Sequence, residues 1–223
     1  TEPAFLLLFL PLVLGVYLVL RGHEWRNTWL VVASVAFYAT GGGQFVAPML
    51  ASIAVNYGLA VLVARALERS RRTARLLLAA TVAANLAVLA WFKYATFAAA
   101  QLSRLATALG FEPGPLLEVA LPLGISFFTF HKISYVVDVY RGVSAPAASF
   151  GLCLLYICLF PHLIAGPIVR YRDVDRQLLS RAHNGDRFLS GICRFCLGLA
   201  KKVLVANVLA ETADAVFDAP PGS

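Results

Sequence analysis

The chain has 223 residues, 60% of them hydrophobic and 14% charged, with a mean hydropathy of +0.75. Soluble domains carry about 45–50% apolar and about 25% charged residues, so this composition excludes an ordinary soluble domain and points to a helical membrane protein. The net charge of +7 is gathered into short loops, which argues for membrane topology and against nucleic-acid binding.

A spanning helix needs roughly 20 mostly apolar residues. Residues 1–20 carry one charge, Glu2, ahead of an apolar run, and Arg21, His23, Glu24 and Arg26 follow it. A secretory signal peptide would need a basic region before the run, so a first transmembrane helix is the better reading. There is no initiator methionine, so a few residues are expected to precede Thr1.

Residues 27–64 contain no charged side chain and are interrupted only by Gly41, Gly42 and Gly43, which reads as two spans joined by a tight hairpin. Five arginines follow at once: Arg65, Arg69, Arg71, Arg72 and Arg75. Against the uncharged glycine hairpin this asymmetry is the positive-inside signal. It places loops 21–28 and 65–75 in the cytoplasm, with the hairpin and the N-terminus outside. The arginines are also suited to anionic lipid head groups.

Residues 76–92 read as a further span. Residues 93–109, with Tyr94, Phe97, Leu102, Leu105 and Leu109 at near-helical spacing and Gln101, Ser103 and Arg104 between them, read as a separate helix lying along the membrane surface. Gly110, Pro113, Gly114 and Pro115 then mark a turn.

Residues 119–137 hold a single lysine, and residues 145–169 hold no charge at all; both read as spans. The second ends in Pro161, His162, Gly166 and Pro167, then Arg170, Tyr171, Arg172 and Asp173. A plain membrane anchor has no use for helix breakers and a histidine there. Irregular backbone at membrane depth is tolerated where it is packed in protein or lines a water-filled cavity, so this segment is the best candidate for a re-entrant or kinked cavity wall. The bland alternative is a proline-kinked helix with a core histidine. Residues 170–187 form the longest polar connection, and residues 188–210 are apolar apart from Arg194, Lys201 and Lys202. The expectation is an all-α, polytopic helical bundle of six or seven spans plus one interfacial helix, in one integrated domain.

Ionisable side chains inside a bilayer are costly and tend to face the bundle interior or water. On a helix covering 126–141, Phe127, His131, Ser134, Asp138 and Arg141 share one face. His131 and Asp138 lie about 10 Å apart along the axis, so they need a bridge such as Tyr135. The strip either lines a cavity or is anchored by an Asp138–Arg141 pair at the membrane edge. The candidate cavity-lining residues are His131, Tyr135, Asp138, His162 and Arg170. His162, Gly166 and Arg170 are spaced by four, a spacing that Pro167 would disturb. Arg194, Gly198 and Lys201 or Lys202 share another face; Lys201 and Lys202 are candidates for an anionic donor or head group, or simply snorkel to the interface. Asn207, Glu211, Asp214 and Asp218 continue it with opposite sign. Cys153, Cys158, Cys193 and Cys196 all lie in apolar segments and read as small packing residues; no metal site is expected.

Three stretches carry a resemblance: LPLGISFFTFHKISYVVDVYRG at 121–142, FPHLIAGPIVRYRDVDRQL at 160–178 and GLAKKVLVANVLAETADAVF at 198–217. They resemble the membrane-bound O-acyltransferase (MBOAT) family, in the bacterial branch typified by the alginate O-acetylation protein. The apolar start and VASVAFYATGG are similar to that branch too. The resemblance implies a multi-pass protein of the bacterial inner membrane that transfers an acyl group, usually acetyl, to hydroxyls of an extracytoplasmic polysaccharide such as alginate. It implies an acyl donor such as acetyl-CoA or an acyl carrier, no tightly bound cofactor, and a periplasmic acetyltransferase partner. The family's catalytic histidine often sits in a later Trp-His pair. Here His23, His131, His162 and His183 do not follow a tryptophan, so the catalytic histidine is expected beyond Ser223. The chain then reads as the N-terminal half of an enzyme, inactive alone. Two other classes remain open: a transporter or channel, suggested by intramembrane His131, Asp138 and Arg170, and a non-catalytic membrane scaffold.

Overall fold

A computed structural model describes residues 3–111, 119–164, 166–181 and 183–217. The described residues are helical, with no strand among them. The chain divides into two compact units, Thr1–Ser180 and Arg181–Ser223.

In the first unit a π-helical turn over Phe5–Phe9 leads into α1, Leu10–Val19. The next helix, α2, covers His23–Gly42, and α3 covers Val46–Arg69. Between them Gly42 leaves helical geometry and one 3-10 turn, Gly43–Phe45, redirects the chain. The glycine triplet therefore breaks the helix where the residue chemistry requires it. Residues 23–69 and 71–108 are each long and apolar enough to cross a membrane. Their outward faces keep large apolar side chains such as Val55, Leu62, Leu86 and Trp91 exposed.

Helix α4 corrects one expectation. It runs unbroken over Arg71–Ala108, 38 residues, about 57 Å at 1.5 Å per residue. Residues 93–109 are its continuation, not a separate interfacial helix. The reason is local: no glycine or proline occurs between Arg71 and Leu109 and alanine abounds, so nothing stops the backbone from propagating. The turn at Pro113–Pro115 lies outside the described residues.

Helix α5, Ile125–Tyr140, is the centre of the unit: it touches α3, α4, α6 and α8, and buries residues around nearly its whole circumference. It starts from Gly124 at φ +69°, where a Cβ would lie 2.7 Å from the Leu163 carbonyl oxygen. Only glycine adopts that conformation cheaply and leaves room for so close an approach.

The uncharged stretch after α5 is the second correction. Residues 145–169 are not one continuous span. Ser149 caps α6, Phe150–Cys158, and Leu159 turns extended before the single-turn α7, Phe160–Leu163. Pro161 explains the break, since in a continuing helix it would remove a hydrogen bond and clash with the carbonyl four residues back. Restarting the helix puts it in a first turn, where no N–H is needed. Residues 166–170 are irregular, and α8, Tyr171–Leu179, follows. His162, Gly166 and Arg170 are therefore not one helical face. A Cβ on Gly166 would instead collide with the backbone of His162.

The start of this stretch and the end of α8 reach the same end of the unit. Asn27 Nδ2 donates to the Leu178 carbonyl at 2.8 Å. A groove of about 860 Å³ is lined jointly by residues before α2 and early in it, by Ala148, Ser149 and Leu152, and by Leu178 and Leu179. The Tyr156 hydroxyl donates to the Val169 carbonyl, so the segment from α6 to Val169 folds back as a hairpin, and its apex packs Phe160 against Phe5, Phe9 and Phe37, with ring centroids 5.2–6.1 Å apart. The second unit is one long helical run: α9, Gly185–Ala200, a π-helical turn over Lys201–Ala206, and α10, Asn207–Phe217.

Candidate functional site

The buried polar groups of the first unit collect around α5. His131 is fully buried and His162 is 9% exposed; their ring centroids lie 4.8 Å apart at 33°. A histidine from the middle of α5 thus meets one from the apex of the hairpin, 31 positions along the chain. His131 Nδ1 lies 2.9 Å from the Phe127 carbonyl and His162 Nε2 lies 2.7 Å from the Tyr156 carbonyl. A carbonyl only accepts, so those nitrogens carry the protons. His131 Nε2 and His162 Nδ1 are left with lone pairs, and the buried His131 Nε2 has no partner.

Tyr156 stands beside both histidines, with its ring centroid 5.6 Å from that of His131. Its hydroxyl donates to the Val169 carbonyl at 2.8 Å and so holds the returning limb of the hairpin. Tyr171 packs edge-on against Tyr135 and Tyr156, at 5.0 and 5.1 Å. The Tyr135 hydroxyl accepts from the Ala147 N–H at 2.9 Å, and the Ala147 carbonyl accepts from Tyr57. Tyr135 is therefore turned to the loop after α5 instead of bridging His131 and Asp138.

Asp138 is buried and its Oδ2 has no hydrogen-bond partner. It makes no ion pair with Arg141, which is exposed at the end of α5. Arg170 is exposed as well, at the residue before α8. The hairpin thus brings His131, Tyr135 and His162 together with Tyr156 and Tyr171, while Arg170 stays outside. Lys201 and Lys202 belong to the second unit and are exposed on its π-helical turn. Asp218 lies outside the described residues. Cys153 and Cys158 are buried and free, as packing residues are; Cys193 and Cys196 are free but exposed within their own unit, so their apolar segment did not translate into burial there.

A second polar seam lies on the α3 side of α5, and its partners were not legible in advance. The buried Lys132 donates from Nζ to Ser52 Oγ and sits 5.3 Å over the Phe128 ring. Asn56 Oδ1 and Thr129 Oγ1 are buried without partners on the same two helices. The one lysine in an apolar run was the signal available for Lys132; nothing local marked Ser52 or Tyr156.

Chemically, the paired imidazoles offer lone pairs able to accept a hydrogen bond from a hydroxyl or a water. Neither ring is backed by a carboxylate, so the pair lacks the orienting group of a histidine general base. Among the described residues no cluster of three or more metal-ligating side chains occurs.

Comparison with curated proteins places this architecture. The chain is 42% identical over 213 residues to a probable alginate O-acetylase of Pseudomonas putida, and 40% identical over 213 residues to that of Pseudomonas aeruginosa. Each match covers 96% of this chain. These matches agree with the resemblance to the membrane-bound O-acyltransferases carried by residues 121–142, 160–178 and 198–217. A peptidoglycan O-acetyltransferase of Helicobacter pylori is a further relative, 30% identical over 247 residues and 97% of this chain. The chain spans less than half the length of these relatives, 44%, 41% and 46% respectively. No family model and no solved structure matches it. With long apolar helices in such a relative of the O-acetylases, this is a membrane protein.

Proposed function

We propose that the whole protein is an O-acetyltransferase of the bacterial inner membrane, which places acetyl groups on hydroxyls of an extracytoplasmic polysaccharide such as alginate. The observation that carries this reading is 42% identity over 96% of the chain to a probable alginate O-acetylase. The acyl donor is of the acetyl-CoA or acyl-carrier type, and a periplasmic acetyltransferase partner completes the pathway. The catalytic histidine is supplied from outside these 223 residues.

The chain itself contributes a wall. His131, Tyr135, Asp138 and His162 present polar groups at membrane depth, where a cavity would shield the acyl group from hydrolysis. Unpartnered His131 Nε2 and Asp138 Oδ2 support this, since buried polar atoms left unsatisfied are rare and expensive in a purely structural core. Lys201 and Lys202 are suited to an anionic donor or head group.

In this reading loops 21–28 and 65–75 face the cytoplasm and the N-terminus lies outside. Residues 150–169 enter and leave on the cytoplasmic side, which makes six crossings instead of seven. The Asn27–Leu178 hydrogen bond supports that count, because it ties the polar connection after the hairpin to the first cytoplasmic loop. The polar connection carries Arg170, Arg172, Arg176 and Arg181, in keeping with a cytoplasmic position.

The test is to delete the full-length gene and measure ester-linked acetyl on the cell's exopolysaccharide, with complementation by the intact gene. The expected result is loss of acetyl with polymer still made, restored on complementation. Unchanged acetylation overturns the reading; solute flux through reconstituted vesicles, indifferent to an acyl donor, would put a transporter in its place.

A further inference from the structure

The basic loop between α3 and α4 is built as a groove. About 670 Å³ of space lies between the two helix ends, lined by Leu62, Arg65, Glu68 and Arg69 of α3 and by Thr73 and Leu77 of α4, with Ala66 between. Its chemistry is graded. Leu62 and Leu77 lie farther along their helices from the α3–α4 connection, and Arg65 and Arg69, one turn apart on α3, lie nearer to it. Arg71, Arg72 and Arg75 stand exposed beside it on α4. Glu68 is the only acid between Glu24 and Glu112, and it makes no ion pair with these arginines.

We infer that this groove is a binding site for one anionic phospholipid of the adjacent leaflet. The phosphate is held by Arg65 and Arg69, and an acyl chain lies along Leu62 and Leu77. Two arginines on one face offer forked donors that match phosphate geometry. Five arginines against one glutamate leave the arginine end strongly positive, as an anionic head group requires. Glu68 accepts from the head-group hydroxyls, which favours phosphatidylglycerol. A soluble acidic protein would not use the apolar leucines, and a zwitterionic lipid would gain little from the positive end.

The experiment uses the full-length protein purified in mild detergent, with native mass spectrometry to count retained lipid. Thermal unfolding is then followed in vesicles of phosphatidylglycerol or phosphatidylcholine. The wild type is expected to retain phosphatidylglycerol and to unfold at a higher temperature in it than in phosphatidylcholine. The R65Q/R69Q variant is expected to hold that lipid about thirtyfold more weakly, with unfolding in phosphatidylcholine unchanged. R71Q/R72Q, outside the groove, is the control and should lose much less. Equal retention by wild type and R65Q/R69Q, equal stabilisation by both lipids, or a larger loss from the control each overturns the site. So does displacement of the lipid by a soluble acidic carrier protein, which would make the groove a protein-docking surface.

Discussion

His131 and His162 have similar surroundings but different structural consequences. His162 supplies the hydrogen bond to the Tyr156 carbonyl, which lies near the broken end of α6 and loses a partner if the ring is removed. H162A should therefore cost about 1–3 kcal/mol, the usual penalty for stranding a buried acceptor, seen as a lower unfolding temperature of the purified full-length protein. The Phe127 carbonyl facing His131 already accepts the backbone N–H four residues on, as any helix carbonyl does. H131F should thus unfold within about 1 kcal/mol of wild type. Polysaccharide acetylation by that variant should nonetheless fall sharply, because the lone pair of His131 Nε2 is gone. A stable, fully active H131F would reduce His131 to a packing residue.

At the level of elements, α4 and the 150–169 hairpin show composition acting in opposite directions. Residues 93–109 have the polar periodicity of a separate helix, yet nothing in the sequence ends the helix before them, so α4 continues. Spin labels at Leu76 and Leu105, both exposed on α4, should report a single sharp separation of about 44 Å, from 29 residues at 1.5 Å each. A shorter or bimodal distribution would show a break. Residues 150–169 are apolar enough to span, yet Pro161 divides them, and the Tyr156–Val169 bond folds the returning limb back on α6.

For the whole molecule the decisive quantity is sidedness. In a protein whose native cysteines are replaced by alanine, an impermeant maleimide should label T40C in intact cells, and A148C and S180C only after the membrane is opened. Labelling of positions 148 and 180 from opposite faces would turn the hairpin into a crossing and reverse everything after it. Replacing Arg65, Arg69, Arg71, Arg72 and Arg75 together by glutamine should leave part of the population inverted, read as partial external labelling near position 70, because loop charge sets orientation.

Composition and the order of chemical types were enough to determine the helical membrane class, the helix break at Gly41–Gly43 and the break expected around the prolines. Each of these rests on local preference or on transfer of side chains from water, and such terms read directly along a chain. Hydropathy did not distinguish one continuous helix from a broken one that folds back on itself, since both bury the same apolar residues. That was decided by tertiary contacts: Phe160 against Phe5, Phe9 and Phe37, the Leu163 carbonyl over Gly124, and Asn27 on Leu178. The stacking of His131 on His162 follows from the same return, because only a folded-back hairpin sets its apex histidine against the middle of α5.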